Sequence, residues 1–406
     1  MKQPPHVRFL DRTTAPHIST LILLAGISAL TMNIFLPSLP GMAEWFGVPY
    51  ALMQLSVALY LALSALLQIV IGPISDRYGR RRVILVALVI FVLATLGTLL
   101  APNATVFLVL RMIQAVIAAG MVLSRAVVRD MVPDAQAASM LGYVTMGMSL
   151  VPMIGPMIGG LLDAAFGWQA SFGFLLLAGI GVLVLTWADL GETATIRKVS
   201  LGAQIRQYPE LLASRRFWGY ALCAAFASGA FFAYLGGAAY VGSVVFGLTS
   251  AQVGVYFAAP AFGYAIGNFV SGRFSVRIGM NRMVLFGSII TLAGLSTLLA
   301  MTLAGLHDVN VFFGMITFVG IGNGMTIPNA TAGMLSIKPH LAGTASGLGG
   351  AIMIGGGAAL AALAGFLLAP GASEMPLILL MVASSFASLL AIRAVIARAH
   401  RLGLGA

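Results

Sequence analysis

Charge is what this sequence lacks. Asp, Glu, Lys and Arg make up 8% of its 406 residues, where a soluble chain carries about 25%. That is too little to coat a soluble globule or to keep a chain disordered. A single cysteine, Cys223, excludes a disulfide framework and a cysteine metal site. Short alternating strands, the mark of an outer-membrane barrel, are missing as well. What the chain has instead is 60% hydrophobic residues, 48 glycines and a mean hydropathy of +1.01. These belong to an all-helical membrane protein.

The charges that do occur divide the chain into apolar blocks. A helix needs about 20 apolar residues to cross a bilayer core. On that scale we read twelve spans, at 18–40, 51–72, 83–101, 105–126, 138–162, 169–189, 216–238, 251–272, 283–304, 310–332, 343–368 and 376–396. The seventh and eighth share one charge-free stretch and turn near Gly242–Ser250. Cys223 falls inside a span and reads as a small packed residue. Residues 1–17 are polar and basic, but the apolar run behind them has no small-residue cleavage site, so it reads as a retained first helix.

The cations set the orientation. With the N-terminus inside, the outer loops contain neither Lys nor Arg, and Arg111 is the one cation that does not fall on an inner segment or inner helix end. This positive-inside pattern places both termini in the cytoplasm. The formal +11 then reflects topology and contact with anionic lipid, and no nucleic-acid partner is expected.

Segment 190–215 is the one long hydrophilic stretch and parts six spans from six. We therefore expect an N-terminal bundle over 1–189, a cytoplasmic linker over 190–215 and a C-terminal bundle over 216–406. A repeat at an offset of 200 supports the division. Gly72-Pro-Ile-Ser-Asp-Arg-Tyr-Gly-Arg-Arg-Arg-Val-Ile-Leu85 aligns with Gly272-Arg-Phe-Ser-Val-Arg-Ile-Gly-Met-Asn-Arg-Met-Val-Leu285, with Gly, Ser and Arg among the identities. Parallel six-helix repeats imply a transporter with its cavity between the halves.

Three local patterns carry chemistry. In the first, Gly72, Asp76, Arg77, Gly79, Arg80 and Arg81 form a glycine-hinged basic loop. Gly72 and Gly79 permit a tight reversal. Asp76 can pair with Arg77 or Arg80, or face a helix N-terminus of the other half. A plain positive-inside loop is the bland reading. The second pattern places Arg111 and Gln114 at i, i+3 on one helix face. An intramembrane arginine costs at least about 2.5 kcal/mol unless it meets a cavity or a partner; snorkelling to the outer interface is its bland reading. In the third, Pro152, Gly155, Pro156, Gly159 and Gly160 bend a span and let backbones approach, as plain helix packing would also do.

These stretches resemble the signatures of the major facilitator superfamily, G-x-x-x-D-R-x-G-R-R, R-x-x-Q-G (with Ala115 at the last position) and G-P-x-x-G-G. Phe35-Leu-Pro-Ser-Leu-Pro40, Val128-Arg129-Asp130, Gly324 to Asn329 and Ala342 to Gly347 are similar to patterns of its bicyclomycin and chloramphenicol resistance (Bcr/CflA) subfamily of drug:proton antiporters. The resemblance implies the twelve-helix major facilitator fold in a bacterial inner membrane. It also implies multidrug efflux by alternating access, with lipophilic or amphipathic small molecules as partners and a monomer as the working unit. No cofactor is expected, only a proton gradient as energy source. The glycine-hinged loop would be a latch closing the cytoplasmic side.

One departure matters. The subfamily's acidic residue in the first helix is replaced by Asn33, which cannot titrate, and the acids present fall in outer loops, inner segments or at the inner membrane edge. Coupling is then lost, moved to a loop-edge carboxylate such as Asp76 or Asp130, or carried by Arg111 with the substrate's own ionisable group. Asn33 is expected to hydrogen-bond substrate or Arg111, or else to make a helix–helix contact. Further cavity candidates are Gln54, Tyr60, Gln68, Tyr143, Met146, Tyr234, Tyr264, Asn268, Asn323 and Asn329. A membrane enzyme is disfavoured, because no metal constellation, nucleophile elbow or phosphate loop appears. A channel is disfavoured by the two-half repeat and the absence of a charged filter ring. An uncoupled facilitator and a nutrient uptake carrier remain alternatives within the class.

Overall fold

The structure is a computed structural model and describes residues 7–132, 140, 144, 151, 154–194, 208–338 and 341–401. Among these it is entirely helical. Eleven helices are long and apolar enough to cross a membrane: α1 (Ile18–Phe46), α2 (Tyr50–Tyr78), α3 (Arg80–Leu99), α4 (Ala104–Met131), α6 (Gln169–Asp189), α7 (Arg215–Val245), α8 (Ser250–Ile278), α9 (Met280–Leu303), α10 (Val309–Ile337), α11 (Thr344–Leu367) and α12 (Met375–Arg401). A shorter apolar helix, α5 (Ile154–Phe166), stands where the fifth span was expected. Pro152, Tyr143 and Met146 lie outside the described residues.

Several helices outrun their expected spans. α2 continues to Tyr78, α7 to Val245 and α10 to Ile337. Hydropathy marks only the apolar stretch, whereas backbone hydrogen bonding carries a helix on. A helix of 29 residues is about 43 Å long at 1.5 Å per residue, well beyond a hydrocarbon core of about 30 Å. Polar caps set the starts. Asn103 accepts from Val106 N at 2.9 Å, Asp308 accepts from Asn310 N at 2.8 Å, and Thr249 forms a reciprocal box with Gln252.

The sequence repeat is also a structural one. α2 and α8 start and stop 200 residues apart, and each is joined to the next helix by a single glycine. Gly79 has φ 92° and ψ 144°, and Gly279 has φ 93° and ψ 145°. An L side chain rarely adopts that backbone, so glycine makes the one-residue hinge possible. Gly72 takes no part in the reversal. It lies within α2, because the chain turns only at the residue with positive φ.

Helices α1 to α6 pack among themselves, as do α7 to α12. The two sets meet chiefly through α2 against α11, with smaller contacts of α7 and α8 on α1. Large apolar side chains such as Leu66, Leu93, Phe269 and Phe366 point outward, as lipid contact requires.

The two ends of the molecule differ. At the cation-free end the sets touch backbone to backbone. A Cβ on Gly254 would fall 2.4 Å from Pro156 O, and one on Gly160 would fall 2.3 Å from Ser250 O. Tyr50 Oη donates to Gly236 O at 2.7 Å, and its ring packs on Tyr240. Gln54 is sandwiched between Gly236 and Gly365, fully buried, with neither amide atom hydrogen-bonded. At the basic end, residues 190–194 of the expected linker dock on α3, and Lys338 pairs with Glu210 at 2.8 Å.

Gly254→Val should wedge α5 from α8 and unseal the cation-free end. In a Cys223→Ser, Gln54→Cys background, maleimide labelling is expected to quicken at least tenfold. An unchanged rate would show the seal does not depend on this contact.

Candidate functional site

A cavity of about 280 Å³ lies between the two helix sets. From α1, α2 and α4 it takes Ser28, Met32, Tyr60, Ser64, Met121 and Arg125; from the other set it takes Phe231, Phe232, Tyr264, Asn323 and Met353, among others. Most of the wall is apolar, with a few polar groups, the usual make-up of a small-molecule site. Met121 and Arg125 are one helical turn apart, so they share a face of α4. Asn323 Oδ1 is buried with no hydrogen-bond partner. Such a group costs about 1–3 kcal/mol when left unpaired, and an arriving ligand can satisfy it.

Of the residues expected at a cavity, Tyr60, Tyr264 and Asn323 line it. Several of the other described candidates sit elsewhere. Gln54 belongs to the sealed end. Tyr234 is buried against Phe257 and Phe313. Asn268 Nδ2 donates to Tyr264 O, and Asn329 Nδ2 donates to Ser271 Oγ and Met325 O, each at 2.8–2.9 Å. A polar side chain within a membrane helix is thus more often spent on the neighbouring backbone. Arg125 was read as an inner helix end and instead lines the cavity. Its position one turn above Arg129 and one below Met121 was the available signal.

Arg111 is fully buried within the N-terminal set and faces neither the cavity nor the outer interface. The reason lies in α1. Pro37 interrupts that helix, whose first segment ends at Asn33 before a tight 3-10 turn over Leu36–Ser38. The last carbonyls of a helix segment have no partner within it and carry its negative dipole end. One of them, Thr31 O, accepts from Arg111 Nη2 at 2.6 Å. Arg111 Nη1 donates to Gln114 Oε1 at 2.9 Å, and Gln114 Nε2 donates to Thr95 Oγ1 at 2.8 Å. The guanidinium carbon stands 4.4 Å from the Phe35 ring centre and 4.2 Å from that of Tyr60. Two aromatic faces and a helix end thus take the place of a carboxylate. Asn33 does not bond to Arg111; its Nδ2 donates to Ala29 O, and its Oδ1 is buried and unpaired. The antiporter-like glycines serve approach, since a Cβ on Gly159 would overlap Ile34 O and one on Gly155 would come 3.2 Å from Leu30.

The glycine-hinged signature forms a clamp at the basic end. Arg80 pairs with Asp76 at 2.6 Å and with Asp130 at 3.1 Å, and it also donates to Ser75 Oγ. Arg81 caps α6 through Leu190 O and Trp187 O. Arg77 lies over the Tyr78 ring. Glu192 accepts from Arg80 N at 2.8 Å and Arg81 N at 3.3 Å, an anion at the start of α3. Asp189 does the same for α1. Fully buried, it accepts from Leu10 N, His17 N and Thr20 Oγ1 at 2.6–2.9 Å. These ion pairs all lie within the N-terminal set rather than reaching across to the other. Neither Glu192 nor Asp189 was singled out from sequence, because long-range helix capping leaves no local pattern.

Arg111→Lys keeps the charge but loses the fork and the planar stacking. It is expected to lower stability in detergent by about 1–3 kcal/mol, read as an earlier thermal unfolding midpoint. An unchanged midpoint would show that the bonds to Thr31 and Gln114 contribute little.

The Major Facilitator Superfamily sequence pattern matches residues 21–362. A chloramphenicol resistance protein of Pseudomonas aeruginosa is 31% identical over 355 residues, 82% of each chain. Multidrug resistance protein D of Escherichia coli (strain K12) is 29% identical over 368 residues, 88% of this chain and 91% of its own. In fold, the chain is similar to a bacterial homolog of the human lysosomal transporter Spinster in its inward-facing, occupied conformation. The TM-score is 0.71 at 18% identity, over 94% of this chain and 96% of that one. The chain belongs to the Major Facilitator Superfamily of transporters, in its bicyclomycin and chloramphenicol resistance branch.

Proposed function

We propose that this protein exports amphipathic small molecules, drugs among them, across a bacterial inner membrane by alternating access. The cavity between the two helix sets, largely apolar and sealed at the cation-free end, is the observation that carries the reading. On the positive-inside rule the basic end is cytoplasmic, which makes the arrangement inward-facing and puts both termini in the cytoplasm. The bonds of Asp189 to Leu10, His17 and Thr20 hold the start of α1 beside the end of α6. An even number of crossings must separate them, so α5 marks one more crossing, and twelve result. Residues 1–189 and 216–406 then rock as two bundles, each monomer working alone. Of the joining stretch 190–215, residues 195–207 lie outside the described residues. The Arg80 clamp keeps the N-terminal bundle rigid, and Asp76 would reach the other bundle only when the cytoplasmic side closes.

Expression in an efflux-deficient bacterium should raise resistance to several lipophilic antibiotics at least fourfold. No change across a broad panel would defeat the export reading. Counterflow of a labelled substrate in proteoliposomes separates a carrier from a channel.

A second reading, an uncoupled facilitator, is favoured by Asn33, which is buried, cannot titrate and stands where the antiporter resemblance expects an acid. On that reading, purified wild type releases no proton when substrate binds, whereas Asn33→Asp does, as a pH-indicator dye would record. Release of about one proton by wild type would restore antiport and place the carrier group elsewhere.

A further inference from the structure

A second cavity, of about 400 Å³, lies at the basic end, where the start of α7 meets the end of α12. Three of its lining side chains are arginines: Arg215 from α7, and Arg398 and Arg401 from α12. The two helices close up beneath them at Gly219, where a Cβ would overlap the Val395 side chain. No Asp or Glu is among the described lining residues. Among the described residues, none of the three arginines forms an ion pair.

The bland reading is that these cations follow the positive-inside pattern and complement helix ends. It suits Arg398 and Arg401, which fall in the last turn of α12. It does not suit Arg215. A cation in the first turn of a helix meets the positive end of its dipole. Arg215 and Arg216 both stand in that turn of α7, with no acid in it to offset them. An anion set between Arg215 and the two arginines of α12 answers all three charges at once. A phosphate suits the place, because its oxygens can accept from more than one guanidinium.

The surroundings indicate which phosphate. Toward the membrane interior, both helices turn apolar side chains outward beside the pocket. Leu222 shares a face of α7 with Arg215 and Gly219, and Phe386 and Leu390 share a face of α12 with Ala394 of the pocket wall. Trp218 is exposed beside Gly219 and donates Nε1 to Leu212 O at 2.9 Å; rings of this kind sit at headgroup level. We propose that the pocket binds the phosphodiester of one anionic phospholipid, whose acyl chains lie along Leu222, Leu390 and Phe386. Basic pockets between membrane helices take such headgroups. The site holds whatever molecule the protein carries, so it stands apart from the export reading.

The test is native mass spectrometry of the purified full-length protein, titrated in neutral detergent with phosphatidylglycerol or phosphatidylcholine. The first phosphatidylglycerol adduct is expected to form at least tenfold more tightly than the first phosphatidylcholine adduct. An equal concentration of inorganic phosphate should not displace it. The double variant Arg398→Gln, Arg401→Gln should lose most of the preference, and so should Arg215→Gln. Arg393→Gln, which changes an exposed arginine of α12 outside the pocket, should keep it. Size-exclusion profiles and unfolding midpoints in detergent alone report whether each variant is folded, and Arg215→Gln decides if the double variant is not. Several results would overturn the proposal: equal affinity for the two lipids, no adduct with either, or an undiminished preference in the pocket variants. An equal loss in Arg393→Gln would do so too, by showing only diffuse surface charge. Displacement by inorganic phosphate would make the pocket a soluble-anion site and remove the lipid.

Discussion

A positive charge held at membrane depth without a carboxylate is the constraint from which much of the N-terminal set follows. Burying an isolated ion in a low-dielectric medium is costly, so every group around Arg111 has to return part of that cost. The break in α1 at Pro37 frees Thr31 O, and Phe35 and Tyr60 cover the two faces of the guanidinium. Gln114 then ties the site to Thr95. These five groups come from α1, α2, α3 and α4. One side chain therefore fixes the mutual positions of four helices in a solvent where apolar contact alone gives little preference between neighbours. Because the partners are neutral, the arrangement does not depend on a second ionisable group keeping its charge.

The contact between the two sets is built on the opposite plan. Within the N-terminal set, Arg111 and Arg80 are each held by several partners. Across the sealed end, glycines bring backbones together, while Gln54 is left with both amide atoms unpaired. An unpaired buried amide gains when water reaches it. The basic end adds ionic contacts, Arg80 with Asp76 and Asp130, that brace one body rather than bridge the two.

The fold was legible in the sequence because its causes are compositional. Apolar length marks spans, and the 200-residue repeat surfaces again as paired hinges at Gly79 and Gly279. The site was legible only in part. Tyr60 and Asn323 are at the cavity, but Gln54, Asn329 and Arg111 are spent on packing. A single helix sequence shows that a polar residue lies within the membrane, not which neighbour it faces. Arg125 was passed over for a related reason, since a rule that assigns cations to the inner interface cannot distinguish an arginine that turns inward. Asp189 and Glu192 cap helices far away in sequence, which only the assembled bundle reveals.

The scarcity of charge has a final consequence when depth is considered along with number. At the membrane surfaces, acids and bases neutralise one another locally: Asp76 and Asp130 with Arg80, and Glu210 with Lys338. Between the surfaces, the described acids are absent while Arg111 and Arg125 remain. Arg111 is clothed by aromatic rings and a helix end, so its field is largely taken up in holding the bundle. Arg125 lines the cavity between the two helix sets. In a chain with so few ionised groups, the two arginines thus divide between holding the N-terminal set together and lining the cavity.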